Sequence, residues 1–124
     1  MKTIIAGGRE FLDYDVLVSV IEMCPWEISV VVCGKARGAD TLGEEYAKAN
    51  DIPVLPFPVL PHEWKTIGKS AGHLRNQKMA DNADALIAFW DGESRGTKDM
   101  ITRARKANLR IMIYNYVTGQ FLYK

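Results

Sequence analysis

The sequence predicts an α/β protein built on a doubly wound sheet of about five parallel strands, with a C-terminal hairpin at the sheet edge. Short β-branched apolar runs alternate with segments of helical periodicity almost to the end of the chain. Most of these runs carry few charges, as is typical of parallel strands buried on both faces. A length of 124 residues suits one compact domain, so we expect residues 1–124 to form a single unit.

The first half of the chain begins with a strand, a helix and a second strand. Residues 2–6 are a brief apolar run that two glycines end, which predicts a buried strand. Helical spacing starts after Asp13, a residue suited to an N-cap, and Pro25 ends that helix. Residues 28–33 are strongly β-branched and uncharged, which indicates a central parallel strand.

A glycine-containing loop over residues 34–40 leads into the second helix. Residues 52–57 predict a third strand, and their prolines favour a short strand or one near the sheet edge. Residues 58–71 show little periodicity and predict a loop or a distorted helical turn. Helical spacing resumes over residues 72–82.

The last part of the chain predicts two more strands and a hairpin. Residues 85–89 form the fourth strand, residues 97–108 a helix, and residues 110–114 the fifth strand. In the tail, residues 115–124, a Val-Thr-Gly-Gln turn is flanked by aromatic residues, which predicts a hairpin at the sheet edge.

Charge and cysteine content exclude several function classes. The formal net charge is +1, which argues against a dedicated duplex-DNA binder. Cys24 and Cys33 are too few for a disulfide scaffold, and neither they nor His62 and His73 show the spacing of a metal site. The apolar runs are too short to span a membrane. We therefore expect a cytoplasmic protein without a metal or a cofactor.

Three glycine-containing loops follow the first, second and fourth predicted strands, over residues 7–11, 34–40 and 91–97. Parallel strands end at one edge of their sheet, so these loops are expected to lie together. Glycine lets backbone approach a ligand, arginine offers a forked donor for phosphate, and a following helix adds free N–H groups. The loops predict one phosphate-bearing ligand that crosses this edge.

Each loop also has a purely structural interpretation. Arg9 also fits a solvated side chain beside a tight turn, and Asp40 a helix-capping residue. Ser94 or Thr97 likewise suits the cap of the helix that follows. Trp64 either stacks on a nucleobase or packs as a buried structural side chain.

Four motifs occur in order: Gly7-Gly8-Arg9-x-Phe11, Gly34-x-Ala36-x-Gly38-Ala39-Asp40, Gly72-x-x-x-Asn76-x-x-Met79 with Arg75, and Gly92-x-x-x-Gly96-Thr97. They resemble the YspA-type branch of the SLOG superfamily, which includes the DNA-processing protein DprA and the Lonely Guy phosphoribohydrolases. The resemblance covers nearly the whole chain apart from the C-terminal hairpin. It implies a Rossmann-like fold and a pocket for a nucleotide or a nucleotide-derived ligand.

The loops and the resemblance together give a set of expected ligand-binding residues, in which cations neutralise phosphate and glycines admit backbone N–H groups. The set is Gly7, Gly8, Arg9, Gly34, Lys35, Arg37, Gly38, Asp40, Arg75, Asn76, Asp91, Gly92, Ser94, Arg95, Gly96 and Thr97.

One departure from the related hydrolases bears on catalysis. Those enzymes carry a glutamate three residues after a Gly-Thr pair, where this chain has Met100. The neighbouring Asp99 lies about 100° away around the helix and does not simply replace it. Binding is therefore favoured over catalysis. The alternative is a nucleotide N-glycosidase that uses Asp40, Glu93 or Asp99, and single-strand nucleic-acid binding of the DprA type is disfavoured by the net charge.

The expected partners are a nucleotide-derived small molecule and further copies of the chain, in a homodimer or a higher homo-oligomer. We expect self-association because Met79, Met100 and Ile101 lie on two helices of a small domain. The resemblance implies the same, since SLOG relatives commonly form dimers or larger assemblies. We expect no membrane partner and no nucleic acid.

Overall fold

The computed structural model describes residues 1–68 and 70–123, so Lys69 of the predicted 58–71 loop and Lys124 of the predicted tail lie outside the described residues. The strands are β1 (Lys2–Gly7), β2 (Val30–Cys33), β3 (Val54–Pro56), β4 (Ala85–Trp90), β5 (Arg110–Asn115) and β6 (Gln120–Tyr123). The helices are α1 (Tyr14–Glu22), α2 (Ala39–Ala49), α3 (Pro61–Ile67), α4 (Ser70–Asp81) and α5 (Arg95–Lys106).

One sheet contains all six strands, in the order β3-β2-β1-β4-β5-β6. The first five strands are parallel, and β6 pairs with β5 in the antiparallel direction. The predicted fold class is therefore confirmed, including the C-terminal hairpin and the short third strand at the edge. The chain winds outward from β1 to β3 and then crosses to β4 on the other side of β1, which makes the end of β1 the switch point.

The core consists of two apolar layers, one on each face of the sheet. Ile5 of β1 belongs to the layer that α1 and α2 cover, whereas its neighbour Ile4 belongs to the layer under α4 and α5. Alternate residues of a strand face opposite sides, so a strand buried on both faces needs a continuous apolar run. The side chains of Ile4 and Ile5 are fully buried, as this requirement predicts.

The three side chains that motivated self-association lie inside this core. Met79, Met100 and Ile101 are at most 4% exposed and belong to the layer under α4 and α5. They hold the two helices to the sheet and offer no surface to a partner. That reason for self-association was wrong, and self-association itself stays a prediction.

A regular helix, α3, occupies part of the segment predicted as a loop or a distorted turn. Pro61 stands at its first position, where its fixed φ suits a helix, and Glu63 accepts a hydrogen bond from the Leu60 N–H at 3.0 Å. None of the seven side chains is buried, so the helix leaves no apolar periodicity in the sequence. By contrast, the predicted N-cap of α1 is confirmed: Asp13 Oδ1 accepts from the Val16 N–H at 3.1 Å.

None of the helices within the described ranges is long and apolar enough to cross a membrane.

Gly43 sets how closely α2 approaches the sheet. A β-carbon at this position would lie 2.6 Å from Cγ2 of Ile5, a side chain locked in the core. We expect Gly43→Ala to lower the free energy of unfolding by about 1–2 kcal/mol, because overpacking outweighs the gain in helix propensity. Gly96→Ala in α5 is the matched control, since no atom lies within 4 Å of its added carbon. Urea titrations of both variants check this, and an unchanged midpoint for Gly43→Ala would contradict it.

Candidate functional site

A cleft of about 380 Å³ opens at the carboxyl ends of β1, β2 and β4, where the three predicted loops meet. It is lined by Ala6, Gly7, Gly8, Arg9, Glu10, Ala36, Asp40, Arg75, Asn76, Met79, Asp91, Ser94, Gly96, Thr97, Met100 and Tyr116. Parallel sheets of this topology place their ligand crevice at the switch point, and the end of β1 is where this cleft lies.

The loop after β1 is fixed by backbone hydrogen bonds. The Gly8 N–H donates to the Phe89 carbonyl at 3.0 Å, and the Gly8 carbonyl accepts from Ala39 and Phe11 at 3.2 Å. Any side chain at Gly8 would collide with the hydroxyl of Tyr116. The ring of Tyr116 would have to move to admit a side chain at Gly8.

The loop after β2 is built around the buried carboxyl group of Asp40. Asp40 is 5% exposed, and its Oδ2 accepts from the Ala36 N–H at 3.3 Å. It is the second residue of α2, whose N-cap is Gly38, so it does not cap the helix. A β-carbon at Gly34 would lie 2.7 Å from Oδ2 of Asp40 and 2.6 Å from Nη1 of Arg75, so this position requires glycine.

Burial raises the pKa of Asp40 from its ordinary 3.8 to about 6. The charge of Arg75 and backbone N–H groups of the surrounding loops oppose this rise without cancelling it. A carboxyl group that titrates near neutrality therefore lines the cleft.

Arg75 reaches the cleft from α4 and is held by a chain of hydrogen bonds. Its Nη1 donates to the Gly34 carbonyl at 2.7 Å, and its Nε donates to Asn76 Oδ1 at 3.1 Å. Asn76 Nδ2 in turn donates to Asp99 Oδ2 at 3.0 Å, and Arg103 Nε donates to the same oxygen at 2.9 Å. The second Nη group of Arg75 has no hydrogen-bond partner among the described residues, which leaves it available to a ligand.

Asp91 organises the loop after β4. Its Oδ1 accepts from the N–H groups of Ser94 at 2.7 Å and Glu93 at 2.9 Å, and these bonds hold the pKa of Asp91 below its ordinary range. Ser94 is the N-cap of α5 by position, yet its side chain makes no capping hydrogen bond. Thr97 is buried and its Oγ1 lies 3.3 Å from Ser94 Oγ. The first turn of α5 thus faces the cleft without a side chain of its own over its N–H groups.

A second cavity of about 370 Å³, which we call the basic pocket, adjoins the cleft. Its lining is Arg9, Gly34, Lys35, Ala36, Arg37, Val59, Trp64 and Arg75. Lys35 Nζ pairs with Glu44 at 2.6 Å, and Arg37 Nη2 pairs with Glu10 at 3.2 Å. The hydrogen bond from Lys35 holds the pKa of Glu44 below its ordinary range. Trp64 is 39% exposed, so it is not the buried structural side chain of the alternative interpretation.

The structure brings ten of the expected ligand-binding residues to the cleft: Gly7, Gly8, Arg9, Asp40, Arg75, Asn76, Asp91, Ser94, Gly96 and Thr97. Gly34, Lys35 and Arg37 line the basic pocket instead. Gly38 packs against the backbone of Gly8 and Arg9, and Gly92 adopts a left-handed turn beside Asn115. Arg95 lines a groove between α4 and α5, which Arg75, Asn76 and Gly96 also line.

The three carboxylates considered for catalysis fall in different places. Asp40 lines the cleft. Asp99 lies in the groove between α4 and α5, where burial is outweighed by hydrogen bonds from Arg103 and Asn76 that lower its pKa. Glu93 is exposed and lines neither the cleft nor the basic pocket.

Sequence reasoning missed several cleft residues: Ala6, Glu10, Ala36, Met79, Met100 and Tyr116. Glu10 directly follows Arg9 in the first loop, so its position could have indicated it. Tyr116 comes just after β5, where an aromatic ring next to a hairpin gives no sign that it faces a loop more than a hundred positions earlier. Met79 was named only in a resemblance motif and as a motive for self-association, and Met100 also as the residue at the position of the hydrolases' glutamate.

No group of three or more His, Cys, Asp or Glu side chains that could hold a metal ion occurs within residues 1–68 and 70–123.

The raised pKa of Asp40 makes stability depend on pH. Between about pH 4 and pH 6 the folded protein keeps a proton that the unfolded carboxyl has lost, so Asp40 lowers the free energy of unfolding as the pH rises through this window. Asp40→Asn cannot ionise and is expected to gain stability relative to the wild type from about pH 4.5 to about pH 7. Urea unfolding at both pH values measures this, with exposed Glu45→Gln on α2 as control. A stability difference that is the same at both values would contradict it.

Three comparisons with known proteins agree with this architecture. The sequence profile of the YspA, cpYpsA-related SLOG family matches residues 1–64. The gene 61 protein of Mycobacterium phage D29 is 33% identical over 120 residues, which cover 90% of this chain and 94% of that protein. The DNA processing protein A (DprA) of Streptococcus pneumoniae has a similar fold, with a TM-score of 0.73, at 18% sequence identity.

The likeness to the solved structure shows the fold alone at this identity. The superposed region covers 91% of this chain and 50% of the DprA chain. This chain therefore spans about half the length of that protein. The family match covers the loops after β1 and β2, which carry the first two predicted motifs. The predicted resemblance is confirmed, and the chain belongs to the YspA, cpYpsA-related SLOG family.

Proposed function

We propose that this protein binds a nucleotide or a nucleotide-derived ligand in the cleft at the carboxyl ends of β1, β2 and β4, and that residues 1–124 act as one ligand-binding domain. Membership of the SLOG family gives a nucleotide- or nucleic-acid-related role at the level of the family. The observation that carries the specific proposal is the meeting of Arg9 and Arg75 with three loops at one sheet edge.

The two arginines supply the attraction for phosphate. Arg9 is exposed at the cleft and forms no hydrogen bond or ion pair with another described residue. Arg75 is half-buried and held in place through Gly34 and Asn76, so little side-chain entropy is lost when it engages an anion. A guanidinium group whose orientation is fixed in this way suits forked recognition of phosphate.

The other cleft residues suit the remainder of a nucleotide. Ser94 offers a hydroxyl group, and Asp91 and Glu10 offer carboxylate oxygens that accept hydrogen bonds from ribose hydroxyls. Gly96 lines the cleft in the first turn of α5, whose backbone N–H groups have no side-chain cap.

Arg75→Ala is expected to weaken nucleotide binding by about 1.5–3 kcal/mol, the scale of a charge-assisted hydrogen bond. A thermal-shift panel of nucleoside mono-, di- and triphosphates identifies the strongest ligand, because binding to the folded state raises its stability. Calorimetry with that ligand then compares wild type, Arg75→Ala, Arg75→Lys and Lys78→Ala. Lys78 is an exposed cation on the same helix that does not line the cleft, so its variant should bind as the wild type does. If Arg75→Ala bound the nucleotide with the affinity of the wild type, the guanidinium group of Arg75 would not contact the ligand.

One observation favours a second candidate, a nucleotide N-glycosidase. Asp40 lines the cleft, and burial raises its pKa to about 6, which suits a general acid near neutral pH. The position that holds a catalytic glutamate in the related hydrolases is Met100, which neither carries charge nor moves a proton. Asp40 also accepts a hydrogen bond from Ala36 and borders Gly34, which supports a structural role for its carboxyl group.

Hydrolysis of nucleoside monophosphates to free base is expected to be absent or very slow. Cleavage builds positive charge on the ribose and needs a carboxylate fixed beside it, and the loss of such a group typically costs about 10²–10³ in rate. Chromatographic detection of released base tests wild type, Asp40→Asn and Asp99→Asn. Rapid release by the wild type that either variant abolishes would make the protein an enzyme.

A further inference from the structure

The cleft and the basic pocket are adjoining cavities, and we call them the two halves of the site. They share three lining residues, Arg9, Ala36 and Arg75. The side chains of Arg9 and Arg75 therefore border both halves. A single ligand that enters both halves must pass these two cations.

The two halves differ in chemistry. Three carboxylates, those of Glu10, Asp40 and Asp91, line the cleft, whereas no carboxylate lines the basic pocket among the described residues. The basic pocket instead adds Lys35 and Arg37 to the two border arginines, together with the partly exposed ring of Trp64.

Trp64 lies on α3, a helix with no buried side chain, and one side of its ring lies against α4. A β-carbon at Gly72 of α4 would lie 3.3 Å from Cη2 of the indole, so Gly72 gives the ring room to lie close against α4. A large apolar ring that is 39% exposed beside four cations is a typical platform for a nucleobase attached to a phosphate.

We propose that the ligand is a dinucleotide, in which two nucleosides are joined through an internal phosphate or diphosphate. This inference rests on the proposed function. The linking phosphate lies between Arg9 and Arg75, one nucleoside occupies the cleft, and the base of the other stacks on Trp64.

Charge and size both favour a phosphate in the middle of the ligand. Carboxylates in the cleft repel a phosphate placed deep within it but accept hydrogen bonds from ribose hydroxyls. The two cavities measure about 380 and 370 Å³, and each alone falls near the lower end of the roughly 300–1,000 Å³ typical of small-molecule pockets. A second nucleoside is needed to fill both. A longer nucleic acid is disfavoured by the net charge of +1.

The test compares four probes by calorimetry with the full chain: 5′-AMP, the phosphodiester-linked dinucleotide ApA, diadenosine diphosphate, and an eight-residue oligoadenylate. We expect one of the two dinucleotides to bind at least about tenfold more tightly than 5′-AMP, since stacking of one base on an aromatic ring contributes roughly that factor. The two dinucleotides distinguish a single phosphate from a diphosphate linkage.

Variants of α3 test whether the higher affinity for a dinucleotide depends on Trp64. Trp64→Ala should lose about tenfold or more in dinucleotide affinity, Trp64→Phe should retain most of it, and Ile67→Ala should bind as the wild type does. Ile67 is a matched control because it is 43% exposed on the same helix and does not line the basic pocket. Circular dichroism and urea midpoints show that each variant is folded.

The outcomes separate this inference from the proposed function. Equal affinity for 5′-AMP and both dinucleotides, or unchanged dinucleotide binding in Trp64→Ala, overturns the dinucleotide and leaves nucleotide binding intact. Tighter binding of the oligoadenylate than of either dinucleotide also overturns it, in favour of single-stranded nucleic acid. Absence of binding by all four probes overturns the dinucleotide, and it contradicts the proposed function too if the thermal-shift panel of nucleotides also shows no ligand.

Discussion

The site depends on one constraint, the burial of the Asp40 carboxyl group beneath the loop after β2. Removing a carboxylate from water is unfavourable, and the pKa of about 6 shows that Arg75 and the backbone N–H groups offset this only in part. The same contacts fix the site. Gly34 is confined between Asp40 and Arg75, and Arg75 is tied to the Gly34 carbonyl. A loop that must satisfy a buried charge has little freedom, so it presents its backbone and the guanidinium in one arrangement.

The remaining cations are arranged differently, because each of two already has an acidic partner. Lys35 pairs with Glu44 and Arg37 pairs with Glu10, both near the protein surface. Ion pairs near the protein surface are weak because solvent screens them. The carboxylates of Glu44 and Glu10 offset the charges of Lys35 and Arg37 locally.

Most of the fold was predictable because its signals are local. Runs of β-branched residues marked the strands, and a polar N-cap such as Asp13 marked a helix start. Helix α3 was not predicted as regular because a helix without buried side chains has no apolar period. In the site, the glycines of three strand ends were predictable from the topology rule. The ring of Tyr116 against Gly8, and the link from Asn76 to Asp99 over 23 positions, are contacts between distant side chains that no local pattern encodes.

Met100, at the position of the glutamate of the related hydrolases, is also a core residue. Met100 lines the floor of the cleft, yet it is 1% exposed and packs in the layer under α4 and α5. A glutamate at this position would add a fourth carboxyl group to a cleft that Glu10, Asp40 and Asp91 already line, at the cost of burying a further charge. The neighbouring Asp99 lies in the groove between α4 and α5, where it accepts hydrogen bonds from Asn76 and Arg103. The methionine therefore packs in the core beside the cleft, while the adjacent aspartate stabilises the hydrogen-bond chain that orients Arg75.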